Sequence, residues 1–174
     1  MKDRKLLNIE LGRISAAEYK ELPPSGLVVV LDNIRSAYNV GSAFRTADSF
    51  GIDKVFLCGI SAVPPSAEIH KSALGAEDSV PWEHVGDTLD AVRRLQADGY
   101  TVVAVEQTVH SVKLGAFQRE PGRKYALIFG NEVTGVRQDV VDASDFSLEI
   151  PQFGTKHSLN VSVSVGVVLW EMVR

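Results

Sequence analysis

The chain of 174 residues has a single cysteine, Cys58. One thiol closes no internal disulfide and builds no zinc cluster. It ends the apolar run Val55-Phe56-Leu57-Cys58, which reads it as a small buried hydrophobe in a reducing compartment. No stretch approaches the roughly 20 apolar residues of a membrane span. The first 15 residues carry charges but no continuous apolar segment of a signal peptide. A cytoplasmic location with no membrane partner is expected. An excess of positive charge is also missing. Lysine and arginine number 18 against 22 aspartate and glutamate, a net charge of −4. That counts mildly against a nucleic-acid-binding surface, but affinity for phosphate depends on where the charges sit. The basic groups are small: Arg4 with Lys5, Arg93 with Arg94, Arg119 with Arg123 and Lys124, and Lys156 with His157. Each alone reads as solvated surface.

Several familiar motifs are absent. Gly130-Asn-Glu-Val-Thr-Gly135 lacks the Lys-Ser/Thr of a phosphate loop, and Val136-Arg137 follows instead. There is no G-x-G-x-x-G dinucleotide fingerprint and no G-x-S-x-G elbow. His70, His84, His110 and His157 have no metal-ligand spacing, so no metal is expected.

What is present is an ordinary globular composition, 45% hydrophobic and 23% charged. The length suits one domain. Ser15-Ala-Ala-Glu18 has the spacing of a capping box and starts a short helix. Pro23, Pro24 and Gly26 then break the chain. Residues 1–26 read as a short extension and 27–174 as a single domain. Apolar, β-branched runs mark strands at 27–31, 55–58, 100–105 and 125–129, and an alternating one at 146–150. Val40, Ala43, Phe44, Ala47 and Phe50 form a helical face that Gly51 ends; Leu89, Val92 and Leu95 form another before Gly99. Residues 62–76 read as a loop with one helical turn. Strands alternating with helices give an α/β fold with a mainly parallel sheet and helices on both faces. Ligands in such folds sit beyond the carboxyl ends of the strands. The polar, glycine-rich segments 32–41, 106–115, 130–135 and 151–160 follow those ends.

The C-terminus is ambiguous. Val161, Val163, Val165 and Val167 alternate with small residues, as in a strand. A helix would place Leu159, Val163, Gly166, Val167 and Trp170 on one face and Val161, Val165, Val168 and Met172 on another. Both faces would then need burial, in a core and in a subunit interface.

Three segments carry the functional signal together: Asn39-Val-Gly-Ser-Ala-Phe-Arg45-Thr-Ala-Asp; Ile128-Phe-Gly-Asn-Glu132-Val-Thr-Gly135-Val; and Ile150-Pro-Gln-Phe-Gly154-Thr-Lys-His-Ser158-Leu-Asn160-Val-Ser-Val-Ser-Val-Gly. In order, spacing and residues they resemble the three motifs of the SpoU/TrmH family of the SPOUT class of RNA methyltransferases, from about Val28 to the C-terminus. The resemblance implies an α/β domain with a deep C-terminal trefoil knot, a topology otherwise very rare. It makes 159–174 a helix. It also implies a homodimer with active sites at the subunit interface, S-adenosylmethionine as methyl donor, and RNA as substrate with a ribose 2′-hydroxyl as acceptor.

The same resemblance assigns residues. Gly130, Ile150 and Leu159 line the cofactor site, with Gln107 and Thr108 beside it and Gly154 on its rim, where glycine permits close backbone approach. Arg45 is the central catalytic residue. Its guanidinium stays protonated, so it serves as a base only if substrate phosphate takes part; otherwise it grips phosphate bidentately. Asn39, Glu132, Ser158 and Asn160 complete the catalytic set. Glu132 orients Arg45, accepts the proton, or only structures its loop; the alternative roles of the others are a surface ion pair with Asp48 or Asp32 for Arg45, and helix N-caps for Asn39, Ser158 and Asn160. Asn131 and Val133 depart from the small residue and glycine that many relatives carry there. With no separate RNA-binding domain read in the chain and a net charge of −4, tRNA is favoured over rRNA. The alternatives are base methylation on the same fold, a non-catalytic RNA- or S-adenosylmethionine-binding module, and an unknotted nucleotide-binding α/β protein.

Overall fold

The computed structural model describes residues 3–174; the first two residues of the expected extension lie outside it. β1 (Leu27–Asp32) is buried along its whole length, as a strand covered on both faces must be. Its alternate side chains enter different cores. Leu27, Val29 and Leu31 face one, Val28 and Val30 the other, following the two-residue period of a strand.

The first core is closed by helices. α2 (Ala37–Ser49) contributes Val40, Ala43, Phe44 and Ala47. The C-terminal α7 (Val161–Val173) contributes Val161, Val165, Val168, Leu169 and Met172. α5 (Thr88–Ala97) covers the other face with Ala91, Val92 and Leu95. Full burial of a valine, leucine, phenylalanine or methionine among them stabilises by about 1.5–3 kcal/mol.

The remaining strands are β2 (Lys54–Cys58), β3 (Trp82–Val85), β4 (Tyr100–Val105), β5 (Val112–Lys113), β6 (Lys124–Gly130) and β7 (Phe146–Glu149). The seven strands among the described residues pair in parallel, in the order β3-β2-β1-β6-β4-β7-β5. The expected α/β fold with helices on both faces is therefore present, and the sheet is parallel throughout. β6 sits between β1 and β4. The sheet order thus changes direction there, and a crevice opens beyond the strand ends at such a point.

The structure adds elements to the sequence reading. Within 62–76, read as a loop with one turn, lies α3 (Ala67–Ala73), capped by Ser66. α4 (Ala76–Ser79) and α6 (Gln138–Ala143) are single short helices. β3 and β5 are mostly exposed edge strands, too polar or too short for periodicity to mark. The alternation at 161–167 is helical: the face with Val161, Val165 and Val168 is buried, while Val163, Val167 and Trp170 remain exposed. α1 (Ala16–Lys20) is the expected capping-box helix, with Ser15 Oγ accepting from the Glu18 amide and Glu18 Oε2 accepting from the Ser15 amide. Among the described residues no helix is long and apolar enough to cross a membrane.

Candidate functional site

A cleft of about 480 Å³ opens where β4, β6 and β7 end, within the size range of small-molecule sites. Its floor is Val105, Phe129, Leu148 and Ile150. The 130–135 turn forms one wall and residues 157–161 the opposite one. Of the residues assigned from sequence, Gln107, Gly130, Glu132, Ile150, Ser158, Leu159 and Asn160 line it. Asn39 reaches it from below through side-chain contacts. Arg45, Thr108 and Gly154 lie outside the lining.

The chain holds this cleft together by polar contacts between distant segments. Asn39 is not the cap of α2; that role belongs to Ser36, whose hydroxyl accepts from the Asn39 amide. The buried Asn39 side chain instead donates from Nδ2 to Glu132 Oε1 at 2.8 Å. It accepts at Oδ1 from Asn160 Nδ2 at 3.3 Å. Asn160 is also the cap of α7, its Oδ1 accepting from the Ser162 amide at 2.9 Å. One side chain from each motif thus joins a single line, Glu132–Asn39–Asn160. The Oε2 of Glu132 has no partner among the described residues. Ser158 caps no helix and is exposed on the cleft wall. Gln107 ties the walls to the floor, its Nε2 donating to the His157 carbonyl at 2.8 Å.

Gly130 is required for a reason internal to the chain. A methyl group there would overlap the Gly135 carbonyl carbon and the Val136 nitrogen. The turn folds directly back over the end of β6. At Gly154 a methyl group would meet nothing within 4 Å, so in the chain by itself no close approach operates there. The unusual Asn131 builds the turn: its Oδ1 accepts from the amides of Val133 and Thr134, both at 2.9 Å, and its Nδ2 donates to Thr134 Oγ1 at 2.8 Å. This Asx turn explains why the turn closes without glycine at position 133.

Two carboxylates not assigned from sequence position the same turn. Glu106 accepts from the Val136 amide at 3.0 Å and from the Gln107 amide at 2.8 Å. Asp32, fully buried at the end of β1, accepts from Thr88 Oγ1, from Asn33 Nδ2 at 2.8 Å and from the Arg137 amide at 3.1 Å. The amides of Val136 and Arg137 that they bind come near only on folding, so no local pattern marks this role. Asp32 is thereby occupied and does not pair with Arg45. Arg45 is exposed on α2 and makes no ion pair among the described residues.

The electrostatics of the cleft are one-sided. Glu106, Glu132 and Glu149 line it, and the lining contains no lysine or arginine. Glu149 is held below the usual carboxylate range by Lys113 and then by Ser111, at 2.5 Å each. It therefore stays charged. Such a cleft suits a cationic or neutral ligand and repels a polyphosphate. Among the described residues no group of three or more His, Cys, Asp or Glu could hold a metal ion.

Residues 26–170 match the SpoU rRNA Methylase family. The 23S rRNA (guanosine-2′-O-)-methyltransferase RlmB of Nitrosomonas europaea is 36% identical over 157 residues, covering 88% of this chain and 58% of that protein. The tRNA (guanosine(18)-2′-O)-methyltransferase TARBP1 of Mus musculus is 34% identical over 152 residues, 86% of this chain but 9% of that one. The crystal structure of AdoMet-bound rRNA methyltransferase from Sinorhizobium meliloti superposes with a TM-score of 0.79 at 28% identity, covering 88% of this chain and 59% of that one. The chain thus spans about three fifths of the bacterial relatives. With the family matched along nearly the whole domain, and one residue from each of its three motifs meeting at one cleft, the chain belongs to the SpoU rRNA methylase family.

Proposed function

We propose that this chain transfers a methyl group from S-adenosylmethionine to a ribose 2′-hydroxyl of RNA. The observation that carries the proposal is the Glu132–Asn39–Asn160 line at the edge of an acidic cleft. The residues present fit this cofactor. The apolar floor of Phe129, Leu148 and Ile150 suits an adenine ring, backbone groups of the two walls supply its hydrogen bonds, and the carboxylates favour a cation. Bound there, S-adenosylmethionine supplies a methyl group on a positively charged sulfur.

The chain's own contribution is positioning. Asn39 holds one carboxylate oxygen of Glu132, a residue of the cleft lining, and leaves the other without a partner among the described residues. Asn160 and Ser158 present polar groups to the reacting nucleotide from the other wall. As the 2′-oxygen takes the methyl, its proton must leave, and in this reading the unpartnered oxygen of Glu132 receives it. Arg45 grips the nucleotide's phosphate, keeping the 2′-oxygen in line. Phe153 is 97% exposed on the segment that carries Lys156 and His157, which suits stacking on an unpaired base.

Arg45 lies outside the cleft of its own chain, and α7 presents an exposed apolar face beside α2. Both features support a homodimer built on α7, in which Arg45 serves the partner's cleft. The knot belongs to this reading too. It is supported by the tight return of the turn over Gly130 and by residues 157–161, which line the same cleft before α7 packs on α2 and β6. The names of the bacterial relatives move the first choice of substrate from tRNA to rRNA. Residues 27–174 act as the catalytic domain, in the cytoplasm.

Purified protein incubated with methyl-labelled S-adenosylmethionine and total RNA from a source strain lacking the gene tests the proposal. Label in one RNA fraction is expected. Cofactor binding without label in any fraction would favour a binding module instead.

A further inference from the structure

The segment before α1 is apolar and uncovered. Leu6, Leu7, Ile9, Leu11 and Ile14 are all exposed, Ile9 to 90%. Chains do not usually leave five large aliphatic side chains within nine residues in water. The segment is nonetheless ordered by its own polar groups. Arg4 forks onto Glu10 at 2.7 and 2.9 Å, and Glu10 accepts from the Leu7 amide at 2.6 Å. These contacts close a turn of 3-10 helix at Asn8–Leu11 in which no residue is buried. A polar clamp on the backbone with the aliphatic side chains facing outward is a preformed apolar knob.

A second uncovered surface begins at the same corner of the molecule. The segment is anchored through Tyr19, whose hydroxyl is shared between the carbonyls of Ala47, in the last turn of α2, and Ile52, just beyond it. Phe50, capping that end, packs against Trp170 of α7 with ring centroids 6.2 Å apart. Trp170 is 59% exposed and continues the open stripe of Val163, Val167 and Val173. Although both surfaces start at this corner, neither covers the other within one chain.

We infer that in the homodimer the apolar arm Leu6–Ile14 of each protomer packs on the α7 stripe of the other. The inference rests on the homodimer reading above and adds the arm to it. Area favours a second copy as the occupant. The stripe exposes roughly 400 Å² of apolar surface, short of the ~800 Å² per partner of a stable interface. The arm adds roughly 500 Å², which brings the total into that range. Symmetry favours it as well: in a two-fold dimer one arm–stripe contact is made twice, so a chain that bears both surfaces satisfies both at once.

The test uses the full chain. Leu7→Glu with Ile9→Glu changes only exposed side chains, so the monomer fold is retained, checked by circular dichroism. Sedimentation equilibrium should show a dimer dissociation constant raised at least about 10-fold over the unsubstituted protein. A size-tagged chain with Ile9→Cys, mixed with an untagged chain with Val173→Cys, should give a bismaleimide product with the mass of one tagged plus one untagged chain. An unchanged dissociation constant and no mixed product, while the unsubstituted protein dimerises, would overturn the arm contact. Loss of RNA affinity alone, with dimerisation intact, would reassign the arm to RNA and also overturn it. A monomeric unsubstituted protein would instead remove the homodimer reading itself.

Discussion

Asn39 on α2 donates its side-chain amide to Glu132, 93 residues further along the chain, at 2.8 Å. The bond joins the first and second motifs, and the opposite oxygen of the same amide receives Asn160 from the third. Asn39→Ala should therefore release both partners at once. Methyl transfer is expected to fall by about 100-fold, with stability lowered by about 1–2 kcal/mol for the lost buried contacts. Single-turnover kinetics beside thermal unfolding separates the two effects; a proportionate loss of folded protein and activity would reduce Asn39 to a structural role.

Glu106 binds the amides of Gln107 and Val136 and covers the backbone at Gly135. Glu106→Ala leaves two amides without their acceptor and loosens the turn that carries Glu132. Affinity for S-adenosylmethionine should weaken by roughly 1–3 kcal/mol, read by calorimetric titration. Unaltered affinity would show that the turn keeps its shape without this carboxylate.

Arg45 stands outside its own chain's cleft. Arg45→Ala should abolish transfer while leaving cofactor binding unchanged. If Arg45 serves the partner's cleft, mixing Arg45→Ala chains with Glu132→Gln chains creates hybrid dimers with one intact site. Activity should then return in the mixture although each variant alone is inactive. An inactive mixture, with hybrid formation shown by mass, would place Arg45 in its own chain's site.

Burial pushes the Cys58 thiol up to about 12, with Thr88 offsetting part of the shift. Thiol reagents at pH 8 should label the protein only after unfolding. Because the folded value lies above the unfolded one, the unfolded chain loses this proton first as pH rises. Cys58 thus costs no stability below about pH 8.5 and progressively lowers it as pH climbs toward 12. Labelling of the native protein at the rate of an unfolded peptide would contradict the burial.

Much of this was legible in the residues. The central strands β1, β4 and β6 are unbroken apolar runs because both faces are buried, and the motif segments follow their ends. Edge strands such as β3, in which Trp82 and His84 are exposed and Glu83 half-buried, carry no such pattern. The valines of 161–167 suggest a strand by alternation alone, and only the resemblance selects the helix. Gly41 of the first motif has a packing role that spacing does not reveal: a methyl group there would overlap Ser72 and the Ile69 carbonyl of α3. The roles of Asp32 and Glu106 are hidden because the amides through which they hold the turn, Arg137 and Val136, are 105 and 30 residues away.

The most direct test of the central claim is the position of the transferred methyl on the nucleotide. RNA labelled by the purified protein is hydrolysed in alkali, which cleaves only where a free 2′-hydroxyl can attack the neighbouring phosphate. A 2′-O-methyl group blocks that attack, so the label should appear in an alkali-resistant dinucleotide, and should disappear with Arg45→Ala. Label released in mononucleotides would place the methyl on a base and contradict the account.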